Sequence, residues 1–258
     1  MTHKDFAIAI AKEAGEIIRK NFTLEMKKEW KSDQTPVTET DYRINTILIE
    51  RVQKEYPNYG VLGEEENFNE TAENLWVCDP LDGTIPFSHG IPICTFSLAL
   101  VKNGEPVLGL IYEPFMDNLY FAEKGKGAHL NGKKIFVSNA IDVEAGLISF
   151  DVWSRAPYYM RGLRDSVDED GAITVTYASL AYCNALVATG EFVASVFAGS
   201  GAHDVASSKV IIEEAGGKVT DLFGNEQRYD GPIKGAIISN GKVHDYLVKK
   251  VKECLESK

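Results

Sequence analysis

The sequence lacks the features that mark several common classes of protein. Its four cysteines form no C-x-x-C pair and lie mostly in apolar segments, so we expect reduced thiols and no zinc site. Basic residues number 27 against 38 acidic ones and form no stripe, which argues against a nucleic-acid partner. No apolar run reaches the roughly 18 residues of a membrane span, and the N-terminus resembles an amphipathic helix rather than a signal peptide. Together these absences favour a cytoplasmic protein with no membrane partner.

What remains is an ordinary globular composition, with 44% hydrophobic and 25% charged residues. That apolar content is enough for a sizeable core. Neither an internal repeat nor a long linker divides the chain, so we expect a single domain over residues 1–258.

Hydrophobic periodicity predicts helices near the N-terminus and a β-rich region after residue 93. Apolar residues recur at helical spacing in two segments, one capped by Thr2 or Asp5 and one closed by Tyr56-Pro57. A meander of four strands with hairpin-type turns follows, and the second half alternates strands with helices. The predicted helices are 6–18, 44–52, 179–188, 204–215 and 242–255, and the predicted strands are 93–101, 107–112, 118–122, 134–138, 147–151, 173–176, 192–197, 218–221 and 236–239.

The segment WVCDPLDGT, residues 76–84, carries the strongest functional signal. Its apolar, β-prone start predicts a buried strand that ends at Pro80 and presents Asp79 at its carboxyl end. Asp82 follows, and the backbone carbonyl of Leu81 lies between the two carboxylates. These are the hard oxygen donors that Mg²⁺ prefers. The alternative is a simple strand-terminating turn, for which Asp, Pro and Gly are also the usual residues.

Three further acidic segments occur along the chain. The sequence GEEEN at 63–67 follows a short apolar pair, and a Thr/Asp pair that includes Asp41 stands just ahead of a helical pattern. Downstream, GAHDVA at 201–206 opens another helical pattern that ends in EEAGG. Each segment has a structural alternative, namely a solvated charge run for the glutamates and helix N-caps for Asp41 and Asp204.

As an ordered set, these segments resemble the inositol monophosphatase-like family of Mg²⁺-dependent, lithium-sensitive phosphatases. The family carries G-E-E, D-P-[ILV]-D-G-T and W-D-x-A…E-A-G-G in this order, and the resemblance spans roughly residues 5–250. It implies an α+β fold, a layered αβαβα sandwich, with the active site between subdomains of about 1–140 and 141–258. The haloacid-dehalogenase phosphatases are excluded because their D-x-D-G-T motif has one residue fewer between its carboxylates.

The resemblance also implies a cofactor of two or three Mg²⁺ ions. Glu64, Asp79 and the Leu81 carbonyl would hold the tighter ion, and Asp79, Asp82 and Asp204 would hold a second one. Such ions can activate a water and neutralise the phosphoryl oxygens of a phosphate monoester. Li⁺ would compete at the weaker position.

Thr84 has the most specific role that the resemblance implies. Its hydroxyl would pair with Asp41 and, together with Glu64, orient and deprotonate the attacking water, so that no phosphoenzyme forms. The backbone N–H groups of Gly83 and Thr84 would receive a phosphate oxygen at the start of a helix. A purely structural N-cap role for Thr84 is compatible with these functions.

Two more residues match family positions around the site. Glu65 would act from outside the ligand shell, and Lys31 would reach over the active site from a polar segment without periodicity. A lone surface lysine is more often simply solvated. No histidine is assigned to catalysis, and His203 is expected to be structural.

The predicted substrate pocket departs from the inositol pattern at three positions. Phe197 stands where inositol-cleaving members present a glutamate to the ring hydroxyls, and His203 replaces the usual tryptophan. The family's G-T-A-A segment, whose backbone touches the substrate, corresponds to Ala178–Ala181, which includes Ser179 and Leu180. We therefore expect a pocket that accepts several small phosphomonoesters without a strong preference for inositol 1-phosphate.

The expected substrate is a small phosphorylated polyol, sugar or amino alcohol. Histidinol phosphate and fructose 1,6-bisphosphate are the alternatives within the family, and a non-catalytic metal- or partner-binding relative is the alternative from another class. A nucleotide is disfavoured because no basic pocket is evident. The resemblance also favours a homodimer, with apolar edges of the meander at 93–138 covered by the partner.

Overall fold

The computed structural model describes residues 1–23, 29–30, 36–160 and 162–256. Seven helices are present in that part of the chain. They are α1 (His3–Asn21), α2 (Glu39–Glu55), α3 (Thr84–Ser88), α4 (Leu163–Asp168), α5 (Leu180–Ala188), α6 (Ala206–Glu214) and α7 (His244–Glu256). None of these described helices is long and apolar enough to span a bilayer.

The strands form one pair and two larger sheets. The pair is β1 (Glu29–Trp30) with β2 (Pro36–Val37). The first large sheet contains β3 (Gly60–Gly63), β4 (Asn67–Phe68), β5 (Asn74–Asp82), β6 (Thr95–Lys102), β7 (Glu105–Glu113), β8 (Asn118–Glu123), β9 (Ala128–Leu130) and β10 (Lys133–Lys134). The second contains β11 (Leu147–Asp151), β12 (Ile173–Val175), β13 (Ala194–Phe197), β14 (Lys218–Thr220) and β15 (Ala236–Ser239).

The order and direction of the strands determine where strand ends meet in each sheet. The first sheet runs β10-β9-β8-β7-β6-β5-β3-β4 and is antiparallel except for β3 and β5, which are parallel. The second runs β12-β11-β13-β15-β14, and β12, β11 and β13 are parallel to one another. Parallel strands bring their carboxyl ends to one edge, so each sheet has one place where several strand ends meet.

Five layers result from the packing of helices on these sheets. α1 and α2 cover the outer face of the first sheet through a core that includes Phe6, Ile10 and Trp76. α5 and α6 lie between the two sheets, and α4 and α7 cover the outer face of the second. The close approach of α6 to β7 needs Gly109, because a Cβ there would lie 2.2 Å from the Ser207 carbonyl oxygen. The expected αβαβα sandwich is confirmed.

Two strand predictions are corrected. Pro80 does not end its strand, because β5 continues through a register shift to Asp82. The predicted strand 134–138 is also wrong. The Asn131-Gly132 turn is present, with positive φ at both residues, but it joins the short strands β9 and β10. Beyond β10 the chain leaves the sheet, and the Val137 N–H donates to the carbonyl of Ala215 at the end of α6.

The helix N-caps also differ from the structural alternatives considered above. Thr38 caps α2, and Asp41 lies in the first turn as the reciprocal partner of a capping box. Gly83 occupies the cap of α3 and Val205 that of α6, both without a side-chain cap. Neither Thr84 nor Asp204 is therefore an N-cap. The boundary near residue 140 stays a prediction, although the strands of the first sheet all precede residue 135 and those of the second follow 146.

Candidate active site

A β-bulge aims the two aspartates of the central motif to the same side. In the pairing of β5 with β6, Asp79 lies opposite Ser97 and Asp82 lies opposite Thr95, so Pro80 and Leu81 together face one residue of β6. Side chains alternate along a regular strand, which would place residues three apart on opposite faces. The extra residue of the bulge cancels that alternation. Asp79 and Asp82 are consequently buried neighbours, 3% and 6% exposed.

Parallel pairing brings Glu64 to the same strand end. Gly63 pairs with Cys78, and the Glu64 N–H donates to the Cys78 carbonyl at 3.0 Å. The glutamate therefore follows β3 at the level where Asp79 follows Cys78. It is half-buried, as is Glu65 beside it, so these glutamates are not a fully solvated charge run.

Asp204 enters from the other half of the chain. It lies in the connection between β13 and α6, directly before the helix that packs on the first sheet. Its carboxylate is 23% exposed and lies 3.5 Å from the His203 ring nitrogen. A Cβ at Gly201 would lie 2.3 Å from the Asp204 Oδ2 atom, so this glycine leaves the space that the carboxylate occupies.

Asp82 is held by the start of α5. The Leu180 N–H donates to Oδ1 at 2.8 Å, and the Tyr182 N–H donates to Oδ2 at 3.4 Å. The hydroxyl of Ser179 also donates to Oδ2, as does that of Thr95 at 3.0 Å. Ser179 and Leu180, predicted for the substrate pocket, thus contact a predicted metal ligand directly.

Thr84 and Asp41 form the predicted pair. The Thr84 hydroxyl lies 3.1 Å from Asp41 Oδ1 and 3.0 Å from the Leu81 carbonyl oxygen, and it has one hydrogen to share between these acceptors. The other Asp41 oxygen accepts from the Thr38 N–H at 2.8 Å. Asp41 is thereby fixed by its own helix while Thr84 is directed to it from α3, and the hydroxyl keeps lone pairs for a further donor.

The turn between these groups requires glycine. Gly83 has a φ of 90°, and a Cβ there would lie 2.7 Å from the Ile93 carbonyl oxygen and 2.9 Å from the Ser179 Cβ. Glycine adopts such a left-handed backbone without a steric cost. The predicted contact of the Gly83 and Thr84 N–H groups with phosphate stays a prediction.

The carboxylates raise one another's pKa values. The pKa of Asp79 is well above its ordinary range because the group is buried and because Glu64, Asp82, Asp204 and Asp41 repel its charge. Burial also raises the pKa of Asp41 to about 6, against the hydrogen bonds from Thr38 that lower it. The pKa of Asp82 is raised by burial despite its hydrogen bonds. The site is thus an anionic cluster that a cation would stabilise.

These residues fit Mg²⁺, although they form no closed cage. Among the described residues, no three carboxylate, imidazole or thiolate groups converge on one point, and Asp82 accepts hydrogen bonds from the start of α5. Mg²⁺ keeps several waters and needs only a few carboxylates, so an open arrangement of oxygen donors suits it. The Asp79 and Asp82 carboxylates, Glu64, Asp204 and the Leu81 carbonyl are such donors.

The remaining predicted pocket residues are less simply placed. Phe197 is only 3% exposed, and its ring centroid lies 6.2 Å from that of the exposed Trp153. Its predicted role in the pocket stays a prediction, and its burial makes it a core aromatic in this structure. Lys31 lies outside the described residues.

Two residues near the site were missed by sequence reasoning. Thr95 gave no signal, because a threonine inside a strand pattern is ordinary. Asp151 could have been found, since it ends the strand pattern LISFD as Asp79 follows WVC. Its position beside Phe197 depends on strand pairing between distant segments, which the sequence does not reveal.

Comparison with known proteins agrees with this fold. The chain matches the model of the Inositol monophosphatase family over residues 2–256. It is 32% identical to the fructose-1,6-bisphosphatase/inositol-1-monophosphatase of Thermotoga maritima, over 99% of this chain and 98% of that one. It is 34% identical to inositol monophosphatase 1 of Bos taurus, over 92% and 89% of the two chains. The solved Thermotoga maritima IMPase matches with a TM-score of 0.89 at 30% identity, over 100% and 99% of the chains.

The matching family members and solved structures are phosphatases, and the chain is a phosphoric monoester hydrolase. The chain belongs to the inositol monophosphatase family, whose members are Mg²⁺-dependent. The alternative of a non-catalytic relative is therefore set aside.

Proposed function

We propose that the chain hydrolyses the phosphomonoester of a small polyol, sugar or amino alcohol, with two or three Mg²⁺ ions as cofactor. The observation that carries this proposal is the meeting of Asp79, Asp82 and Glu64 at one sheet edge beside the Thr84–Asp41 pair. When bound, the ions would lower the pKa of a water and neutralise the phosphoryl oxygens.

Different residues of the chain would bind the ions and position the attacking water. The ions would be held by Asp79, Asp82, Glu64, Asp204 and the Leu81 carbonyl. Thr84 would accept a hydrogen bond from the attacking water while its own hydrogen points to Asp41, and Glu64 would take the proton that the water loses. Such positioning of a proton acceptor contributes about 10²- to 10⁴-fold in rate.

The leaving group of the substrate would contact the start of α5. Ser179 and Leu180 engage Asp82, so a leaving group there would lie between α5 and the end of β13. Fructose 1,6-bisphosphate is the second candidate, because the Thermotoga maritima relative carries that activity in its name. Glu65 would act from outside the ligand shell, and Lys31, which lies outside the described residues, keeps its predicted role.

A phosphate-release screen tests the proposal. Purified protein is assayed with Mg²⁺ on inositol 1-phosphate, histidinol phosphate, fructose 1,6-bisphosphate and simple sugar phosphates, with EDTA as control. We expect Mg²⁺-dependent release and, in H₂¹⁸O, label in the phosphate after one turnover. Absence of release from every substrate, or a trapped phosphoenzyme, would reject the proposal.

A further inference from the structure

Asp151 lies at the end of β11, beside Phe197 on the neighbouring parallel strand. The two residues are register partners, and both end their strands. In β11 the alternate residues Ile148 and Phe150 face the outer core with α4 and α7. Phe197 faces the inner core with α5. Because side chains alternate along a strand, Asp151 lies on the same inner face as Phe197, toward α5.

The Asp151 carboxylate has no protein partner among the residues that the structure describes. Within the described part of the chain it has no hydrogen bond or ion pair, although it is only partly exposed. Its pKa is raised to about 7 by burial and then by the charge of Asp82. A partly buried polar group is ordinarily hydrogen-bonded, so a free acceptor here is costly unless a ligand completes it.

The neighbours of Asp151 place it near Asp82, on the side of the candidate site that faces α5. Burial and the charges of both Asp82 and Asp151 raise the pKa of the Cys183 thiol on α5 to about 12. Asp151 and Asp82 therefore flank the same stretch of α5, whose first turn binds Asp82. Trp153, two residues beyond Asp151, is 42% exposed, and its ring centroid lies 6.2 Å from that of Phe197.

We propose that Asp151 accepts a hydrogen bond from a hydroxyl group of the leaving alcohol, and so selects hydroxylated phosphomonoesters. This inference rests on the proposed phosphatase function and adds a specificity residue to it. An ionised carboxylate is an acceptor only, which suits polyol and sugar hydroxyls. It would take the role that Phe197 leaves open, from the adjacent strand.

The test compares a hydroxylated substrate with one that has no hydroxyl on its leaving group. kcat/KM is measured with Mg²⁺ for inositol 1-phosphate and for p-nitrophenyl phosphate in the wild type and Asp151→Ala. We expect kcat/KM for inositol 1-phosphate to fall about 10- to 100-fold, as for the loss of a charged hydrogen bond, and that for p-nitrophenyl phosphate to change less than about twofold. Asp168→Ala, an exposed charge on α4, is the matched control and should change neither.

Asp151→Leu is the second variant in case alanine leaves a cavity, because leucine also branches at Cγ and fills the space but has no hydrogen-bond acceptor. Both variants should unfold at the wild-type urea concentration or above it, since they remove an unpaired carboxylate. An equal loss on both substrates, or no loss on either, would overturn the inference. A wild type that is inactive on every phosphomonoester would instead reject the proposed function itself.

Discussion

At the scale of single residues, Thr84 links the two halves of the catalytic proposal. Its hydroxyl lies within hydrogen-bond distance of both the Asp41 carboxylate and the Leu81 carbonyl, and its one hydrogen can serve only one of them fully. A ligand on the Leu81 carbonyl would leave that hydrogen to Asp41. The pairing was inferable from the family resemblance, whereas the shared hydrogen is visible only in the folded chain.

Thr84→Val tests the hydroxyl without changing the shape of the side chain. We expect kcat with saturating Mg²⁺ to fall about 10²- to 10³-fold, because the water loses an oriented acceptor. Thr84→Ser, which keeps the hydroxyl, should retain most of the activity. If Thr84→Val kept more than half of the wild-type kcat, the assignment of Thr84 would be wrong.

The carboxylate of Asp79, a proposed metal ligand, is expected to destabilise the metal-free protein. It is 3% exposed, and the charges of four other acidic residues raise its pKa. Asp79→Asn removes a buried negative charge, so the metal-free protein should melt about 5 °C higher at pH 7.5.

Added Mg²⁺ separates this effect from a general gain in stability. A ligand at 100 times its Kd stabilises a protein by about 2.7 kcal/mol, so wild type should gain several degrees while Asp79→Asn should gain little. Melting curves in EDTA and in excess Mg²⁺ provide the comparison. An unchanged Mg²⁺ response in Asp79→Asn would show that Asp79 binds no ion.

At the scale of elements, the sequence identified most helices and strands but not the distortion that builds the site. Pro80 indicated a strand end, since it cannot donate a ladder hydrogen bond. β5 instead passes through Pro80 in a bulge, which is where proline is tolerated and where Asp79 and Asp82 become neighbours. A bulge depends on the partner strand, β6, and so no local pattern could reveal it.

The start of α5 shows a second long-range dependence. Ser179 occupies the N-cap but makes no cap bond to its own helix, and Asp82 from β5 accepts from Leu180 and Tyr182 instead. Asp82 therefore serves the helix as an anionic cap as well as the proposed ion.

Asp82→Asn should for this reason destabilise the metal-free protein, in contrast to Asp79→Asn. We expect a loss of about 1–2 kcal/mol, because an amide replaces a carboxylate that accepts several hydrogen bonds at a helix N-terminus. Urea unfolding of the two variants in EDTA measures the difference. The same sign for both variants would contradict this account of α5.

His244 joins α7 to the second sheet. It is fully buried at the start of the helix, and its ring nitrogens lie 2.9 Å from the Thr220 hydroxyl and 2.8 Å from that of Ser239. Burial and then the charge of Lys218 lower its pKa from 6.5 to about 4. Between pH 6.5 and 4, His244 is therefore protonated in the unfolded chain but neutral in the folded chain.

Above pH 6.5, His244 should therefore not lower the free energy of unfolding. As the pH falls from 6.5 toward 4, the free energy of unfolding should decrease. We expect this residue to contribute a loss on the order of 2 kcal/mol across that window. His244→Gln cannot titrate, so the difference between its urea midpoints at pH 7.5 and 4.5 should be smaller than in wild type. Equal differences would show that His244 does not set the acid response.

At the scale of the whole molecule, the layering follows from the separation of three cores. One core lies under α1 and α2, one between the sheets, and one under α4 and α7. The candidate site lies where the end of β5 meets the start of α5, near the connection that carries Asp204, so it needs the middle layer to bring the two halves of the chain together. The order of the site residues along the chain was predictable from the motifs. Their proximity in space depends on packing between distant segments, which the motifs do not show.

The sheet edges of the structure do not offer the surface that was predicted for the homodimer. Apolar edges of the β-meander were expected to attract the partner, but the edge strands of the first sheet are the short β10, with Lys133 and Lys134 exposed, and β4. Short, charged edges resist strand addition. The large apolar side chains that are exposed lie elsewhere, for example Phe136 at 60% and Ile141 at 77% in the connection between the two sheets.

We therefore expect a dimer that forms through this connection rather than by extending a sheet. Closed two-fold pairing is the commonest form of oligomer and would bury the same patch on both copies. Light scattering at micromolar concentration should give twice the mass of the chain, and Ile141→Asp should give the monomer mass with an unchanged melting curve in dilute solution. Asp168→Ala is the control that should leave the dimer intact. A monomer mass for the wild type would refute the dimer, and a dimer in Ile141→Asp would move the interface away from this patch.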